Sequence, residues 1–325
     1  MIRRVLNGAL GYRSLAQYAI VGLKYPQDQV QVSLVGGGLP ELDVTRCNVV
    51  VSLRPFLIGV SLPEGERRTS SVHHQRELVF RESGILRHGR ELGRIGLLPL
   101  REIPLDGTRL CVFGVGTHRD HCLEWPRLAT YYARQWWHAW TNQKPGNFKM
   151  AFGDLIRIWT FYICPRPVML VTVVHGSSSN IFPMDLVGFT GSPYFSLALR
   201  STSPSVKLIA ESRRIAVSRV PIGLSAPVYE LGKHHRLSSI DWGTLPFATD
   251  VSSVFQLPVP TAALGVQELE IEQVHTIGSH TLFLGKPVSA QDVADGLGMF
   301  HISGLYSEYL RRQAGTQAPG TLDAA

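Results

Sequence analysis

The sequence predicts a mainly β protein: a β-barrel with short helices over its second half, preceded by an N-terminal α+β region. Three observations carry this expectation. Short apolar, β-branched runs recur along the chain between Gly- and Pro-rich turns. Helical patterns after residue 145 are few and short, which favours a barrel over a doubly wound parallel sheet. The 325 residues are 44% apolar and 18% charged, enough for a sizeable core and too apolar for global disorder.

Residues 3–23 read as a helix. The stretch is basic and its first following acid is Asp28, a composition shared by transit peptides, but an ordinary amphipathic helix is the preferred reading. Strands are expected over 30–35, 48–53, 56–62, 78–81 and 109–115. Gly36-Gly37-Gly38 and Pro63-Glu64-Gly65 supply turns between them. Residues 124–141 read as an aromatic helix with Pro126 in its first turn, where a missing N–H costs nothing. Leu128, Tyr131, Tyr132, Gln135, Trp136 and Trp140 fall near one face, the spacing of a packing stripe. Residues 142–147, with Pro145-Gly146 at their centre, are the expected linker. The domains are therefore expected as 1–145 and 146–313, with 314–325 a small, polar tail. No internal repeat is visible in the sequence.

In the second half, 168–174 is a continuous apolar run, as a buried strand would be. Further strands are expected over 179–184, 194–199, 215–219, 266–274 and 280–285. Short helices are expected over 203–212, 224–231, 290–297 and 303–313.

Several function classes recede on composition. No stretch has the roughly 18 apolar residues that span a bilayer, and no continuous apolar segment follows Arg3 and Arg4 as a secretory signal needs. Four sparse cysteines fit a reducing cytoplasm rather than a disulfide scaffold. The net charge of +7 lies wholly in residues 1–145. Glu66, Glu77, Glu82, Glu91, Glu102 and Asp106 interrupt the arginines there, so a nucleic-acid stripe is not expected. His118-Arg119-Asp120-His121-Cys122 has no second ligand cluster at metal-site spacing, and no metal is expected. His73-His74 reads as loop. Gly36-Gly37-Gly38 lacks the order of a dinucleotide fingerprint.

Two segments carry chemistry. The first runs from an apolar strand into Arg200-Ser201-Thr202-Ser203-Pro204-Ser205. Ser203 suits an N-cap and Pro204 the first helical position. A helix N-terminus beside an arginine and several hydroxyls is a ready phosphate site; a plain capped helix with a solvated arginine reads equally well. The second segment is Asn180-Ile181-Phe182-Pro183-Met184-Asp185. Pro183 cannot donate to a ladder, so this strand is expected at an edge or a bulge. Free backbone groups there could bond the rim of a planar heterocycle, and a purely structural edge strand is the plainer alternative.

Six stretches in order then carry a specific resemblance. They are PRPVMLVT from Pro165, NIFPMD from Asn180, LRSTSPS from Leu199, LGKHH from Leu231, HTIGSHTLFLG from His275 and FHISGLY from Phe300. Residues from about 149 to 310 resemble the flavin reductase-like, FMN-binding split-barrel family. The resemblance implies FMN at a homodimer interface. It implies a phosphate held by Arg200, Ser201, Thr202 and Ser205, with Leu199 before them also cofactor-binding. It places the flavin ring edge along Asn180, Ile181, Phe182, Pro183, Met184 and Asp185, with Thr172 on the neighbouring strand, and His280 as the catalytic candidate near the flavin or nicotinamide. Ser279 stands where many relatives carry Asp, and residues 1–145 have no counterpart in the minimal family.

The implied activity is reduction of FMN by NADH or NADPH through hydride transfer to flavin N5, in the cytoplasm, with a flavin-dependent enzyme as a possible onward partner. Such a site needs no Ser-His-Asp set, because the cofactor carries the chemistry. The alternative is a non-catalytic or electron-transferring FMN- or haem-type module whose basic first half docks a partner.

Overall fold

β-branched and aromatic runs that alternate between two buried faces make strands wherever the chain can pair them. The computed structural model describes residues 18–38, 40–64, 76–83, 89–141, 151–190 and 193–314. In chain order these form β1 (Tyr18–Leu23), β2 (Val30–Gly36), β3 (Leu42–Asp43), β4 (Asn48–Leu53), β5 (Phe56–Pro63), β6 (Arg76–Glu82), β7 (Glu91–Leu105) and β8 (Thr108–Asp120). Two helices follow, α1 (Trp125–Thr141) and α2 (Phe152–Phe161). The second half has β9 (Arg166–Pro167), β10 (Met169–His175), β11 (Ser178–Met184), β12 (Val187–Phe189), β13 (Phe195–Arg200), α3 (Pro204–Ser212), β14 (Arg214–Arg219) and α4 (Ser225–Glu230). It closes with β15 (Thr249–Val251), β16 (Pro258–Pro260), β17 (Gly265–Ile277), β18 (His280–Asp292), β19 (Gly298–Ser303) and α5 (Gly304–Gln313).

The second half is the expected curled antiparallel sheet, in the order β11-β10-β14-β17-β18-β13-β12. β11 lies at its edge, where Pro183 can be tolerated. The first half holds another seven-stranded sheet, β3-β2-β6-β7-β8-β5-β4. Counting each sheet's strands in chain order, both read 2-1-5-6-7-4-3. An internal repeat is therefore present where the sequence showed none.

The two sheets share a hydrophobic cluster that runs from Val30 and Ile58 to Val171, Phe283 and Ile302. Polar ties cross between them as well. Arg166, buried against the Phe161 ring, donates to the Asn48 carbonyl (2.9 Å) and its Oδ1 (2.6 Å).

Three expectations need correction. Of the helix expected over 3–23, residues 3–17 lie outside the described residues, and 18–23 are strand β1, paired with β19 along its whole length. Tyr-Ala-Ile-Val is good strand material once a partner edge is available. The helix expected over 290–297 is absent: β18 continues to Asp292, paired with Gly265 of β17. Strand β7 was missed because Gly93, Gly96, Pro99 and Pro104 disguise it, and register shifts against β8 absorb the irregularity. The linker, His73-His74, Gly65 and residues 315–325 lie outside the described residues.

Helix α1 splits its aromatic stripe. Leu128, Tyr131 and Gln135 are buried, with Tyr131 edge-on to Trp159 of α2 at 5.6 Å. Trp136 and Trp140 stack on each other and are exposed.

Candidate functional site

The loop after β13 forms because the strand runs out of partners at Arg200, opposite His280 of β18. A turn closes it: Ser203 N–H donates to the Arg200 carbonyl (2.8 Å) and Ser201 N–H to the Ser279 carbonyl (3.1 Å). Ser203 takes the N-cap position of α3, with Pro204 next, as expected. Its hydroxyl, however, donates to the His235 carbonyl (3.0 Å) instead of capping the helix. Arg200, Ser201 and Thr202 are solvent-exposed beside that helix start. Partial burial first, and the charge of Arg236 second, push the Arg200 pKa down, so its positive charge is disfavoured where it stands. A guanidinium whose charge is disfavoured, beside a helix N-terminus, gains from an anion.

The remaining residues named from sequence divide by depth. Thr172, Ile181, Phe182, Met184 and Leu199 are buried in the sheet. Asn180 and Ser205 are buried too and bond each other (3.0 Å). The Asn180 amide also donates to the carbonyls of His234 and Leu237, both at 3.0 Å, tying β11 and α3 to the turn after α4. Their structural setting is a clamp that holds the loop in place. Pro183 and Asp185 are half-buried at the end of the edge strand, and the Pro183 carbonyl accepts from His235 Nε2 (2.8 Å).

Asp185 is the centre of a polar cluster that sequence reasoning did not assemble. Its Oδ2 accepts from Tyr162 (3.0 Å) and from His301 Nδ1 (2.8 Å), and Tyr229 bonds the other His301 nitrogen. Tyr18 lies against both Tyr162 and His301. Burial would raise the Asp185 carboxyl, but the His301 hydrogen bond and charge, with Tyr162, hold it below its usual range. His235 and His301 sit inside the LGKHH and FHISGLY stretches, so a signal existed for them. Tyr18 and Tyr162 arrive from β1 and the end of α2, contacts that only the tertiary fold creates.

His280 is 1% exposed at the turn between β17 and β18. Its Nδ1 accepts from the Ser279 hydroxyl (2.9 Å) and, in a long contact, from Leu53 N–H (3.4 Å). Two donors on Nδ1 assign the proton to Nε2. Burial first, and Arg200 second, lower its pKa to about 4, so the ring is neutral near pH 7. The His118–Cys122 stretch forms no joint site: His121 lies 3.4 Å from Glu91, while the Cys122 thiol donates to the Leu92 carbonyl.

A curled antiparallel barrel whose rim joins a cationic strand-to-helix loop to a buried neutral imidazole defines a β-barrel of the split-barrel class. Residues 161–308 match the family described as flavin reductase like domain. Among solved structures, an FMN-binding protein from Thermus thermophilus is similar at 22% identity and a TM-score of 0.40, over 49% of this chain and 89% of that one. An NADH:FAD oxidoreductase from Streptomyces globisporus C-1027 is similar at 20% identity and a TM-score of 0.41, over 49% of this chain and 95% of that one. A styrene monooxygenase flavin reductase from Pseudomonas putida S12 is similar at 15% identity and a TM-score of 0.38, over 44% of this chain and 91% of that one. No curated protein matched the chain. Among the described residues, no helix is long and apolar enough to cross a membrane.

Proposed function

We propose that this protein is a flavin-dependent oxidoreductase that binds FMN and reduces it with NADH or NADPH. The observation that carries the reading is the Arg200-Ser201-Thr202 loop, exposed at the start of α3, inside the segment that matches the flavin reductase like domain. The donor set fits a phosphate: a guanidinium, two hydroxyls and the first N–H groups of a nine-residue helix. A bound flavin supplies the hydride-accepting ring, so the chain's own work is binding and orientation.

Arg200 would pair with the phosphate and Arg236 would add positive potential. His280, held neutral with its proton on Nε2, is a hydrogen-bond donor and not a cation. Such a donor stabilises negative charge that develops nearby without requiring a proton transfer. The Asp185–His301–Tyr229 chain fixes one wall of the cluster through charge-assisted bonds. Reduced flavin released from such a site is a substrate for a flavin-dependent partner enzyme.

Arg200→Ala tests the carrying observation. FMN affinity is expected to fall by roughly 1–3 kcal/mol, as loss of a charge-assisted contact costs, while riboflavin, which lacks the phosphate, is nearly unaffected. Equal losses for the two flavins in a fluorescence titration would show that Arg200 does not read a phosphate.

A further inference from the structure

The two seven-stranded sheets have more in common than strand order. In each, the sixth and seventh strands form a long hairpin closed by a two-residue turn, between the pairs Leu105–Thr108 and Ile277–His280. Each turn contains a glycine with positive φ, Gly107 at 70° and Gly278 at 57°. Each hairpin carries two register shifts. The seventh strand then pairs with the fourth, as β8 with β5 and β18 with β13.

Laying turn on turn makes Thr108 the counterpart of His280. The cross-strand partners are then counterparts too, and Pro63 falls on Arg200. Carried one strand further, the same register makes Val49 of β4 the counterpart of Gly188 of β12. These two touch: a Cβ on Gly188 would lie 2.9 Å from Val49 Cγ1. Contact between counterpart residues is the mark of an isologous, two-fold interface.

We propose that the N-terminal half is a second split barrel, standing within the same chain where a partner subunit would stand, and that it has lost its own flavin site. Pro63 and Thr108 replace the guanidinium and the imidazole, so one of two related clefts can hold a flavin mononucleotide. The first barrel instead supplies a wall to the working cleft. Its β4–β5 turn meets the β17–β18 turn, where the Arg54 carbonyl accepts from Ser279 N–H (2.9 Å) and Leu53 N–H approaches His280 Nδ1. At the other end, Asp106 of the β7–β8 turn bonds Lys286 (2.5 Å), and the Pro104 carbonyl accepts from Gln273 (3.1 Å). The role of residues 1–145 is thereby assigned, and the homodimer implied by resemblance becomes an internal pair. The flavin part of this proposal rests on the function proposed above.

The test uses the full chain with Val49→Cys and Gly188→Cys, in a Cys47→Ser background. The 2.9 Å approach leaves the two Cβ positions at most one bond length further apart, under the upper limit of about 4.5 Å that a disulfide bridges. Mild oxidation is expected to give an intrachain bond in a species with the mass of one chain, 36.0 kDa. FMN titrated into that species, followed by flavin fluorescence, is expected to saturate at one per chain, with a dissociation constant within about threefold of the unlinked protein's. Linkage between chains, saturation at two FMN per chain, or saturation at one per two chains would overturn the proposal. An intrachain bond in a protein that binds no flavin, linked or unlinked, upholds the paired barrels and refutes the flavin reading, so the two failures are distinct.

Discussion

His280 shows how a single residue couples the site to stability. An imidazole with a folded pKa near 4 and an unfolded pKa near 6.5 takes up its proton more readily after unfolding. Its contribution is therefore intact above about pH 6.5 and is lost as the pH falls toward 4, by roughly 3 kcal/mol in all. Asp185 behaves in the opposite sense: its lowered carboxyl contributes above the unfolded value near 3.9, and that contribution is lost only as the pH falls further. Denaturant melts of the wild type and His280→Ala are expected to converge between pH 7 and 4, because the variant lacks the first loss. Parallel curves over that interval would show that His280 is not kept neutral by the fold. At this scale the sequence named Arg200, Asp185 and His280, each in a distinctive local string. It did not reveal that the Asn180 amide is spent on Ser205 and on the His234 and Leu237 carbonyls, since burial depends on partners far along the chain.

Among the elements, α1 separates spacing from packing. Three- and four-residue spacing placed six residues on one broad face, but α2 covers only part of it. Tyr131, 2% exposed and edge-on to Trp159, is expected to cost about 3 kcal/mol or more when replaced by Ala. Trp136, 53% exposed, is expected to cost no more than about 0.5 kcal/mol when replaced in the same way. Equal losses in thermal or denaturant melts would mean that the exposed tryptophans are covered. Most strands of both halves were legible because an apolar, β-branched run leaves few alternatives. Strands β1, β7 and β19 were not, nor the short β3, β9, β12, β15 and β16, and β1 and β7 show why. One is made a strand by an edge that β19 offers, and the other carries glycines and prolines that only its register shifts against β8 accommodate.

For the whole molecule, the least legible property was the duplication. A sheet demands only a period of two and suitable turns, so two copies can keep strand order and register while their side chains diverge. Pro63 in the place of Arg200, and Thr108 in the place of His280, show that divergence reaching the proposed site. The resemblance to flavin reductase like domains, by contrast, was legible from six short stretches, all of them in the second half. The central proposal is that the second half reduces flavin. An anaerobic titration of the FMN-mixed protein with NADH, and separately with NADPH, tests it most directly. Bleaching of the flavin's visible band with one of the two donors, faster than for free FMN and slowed by His280→Ala while FMN affinity stays within about tenfold, is the predicted result. Tight FMN binding with no bleaching by either donor would contradict the claim and leave the chain a flavin-binding module.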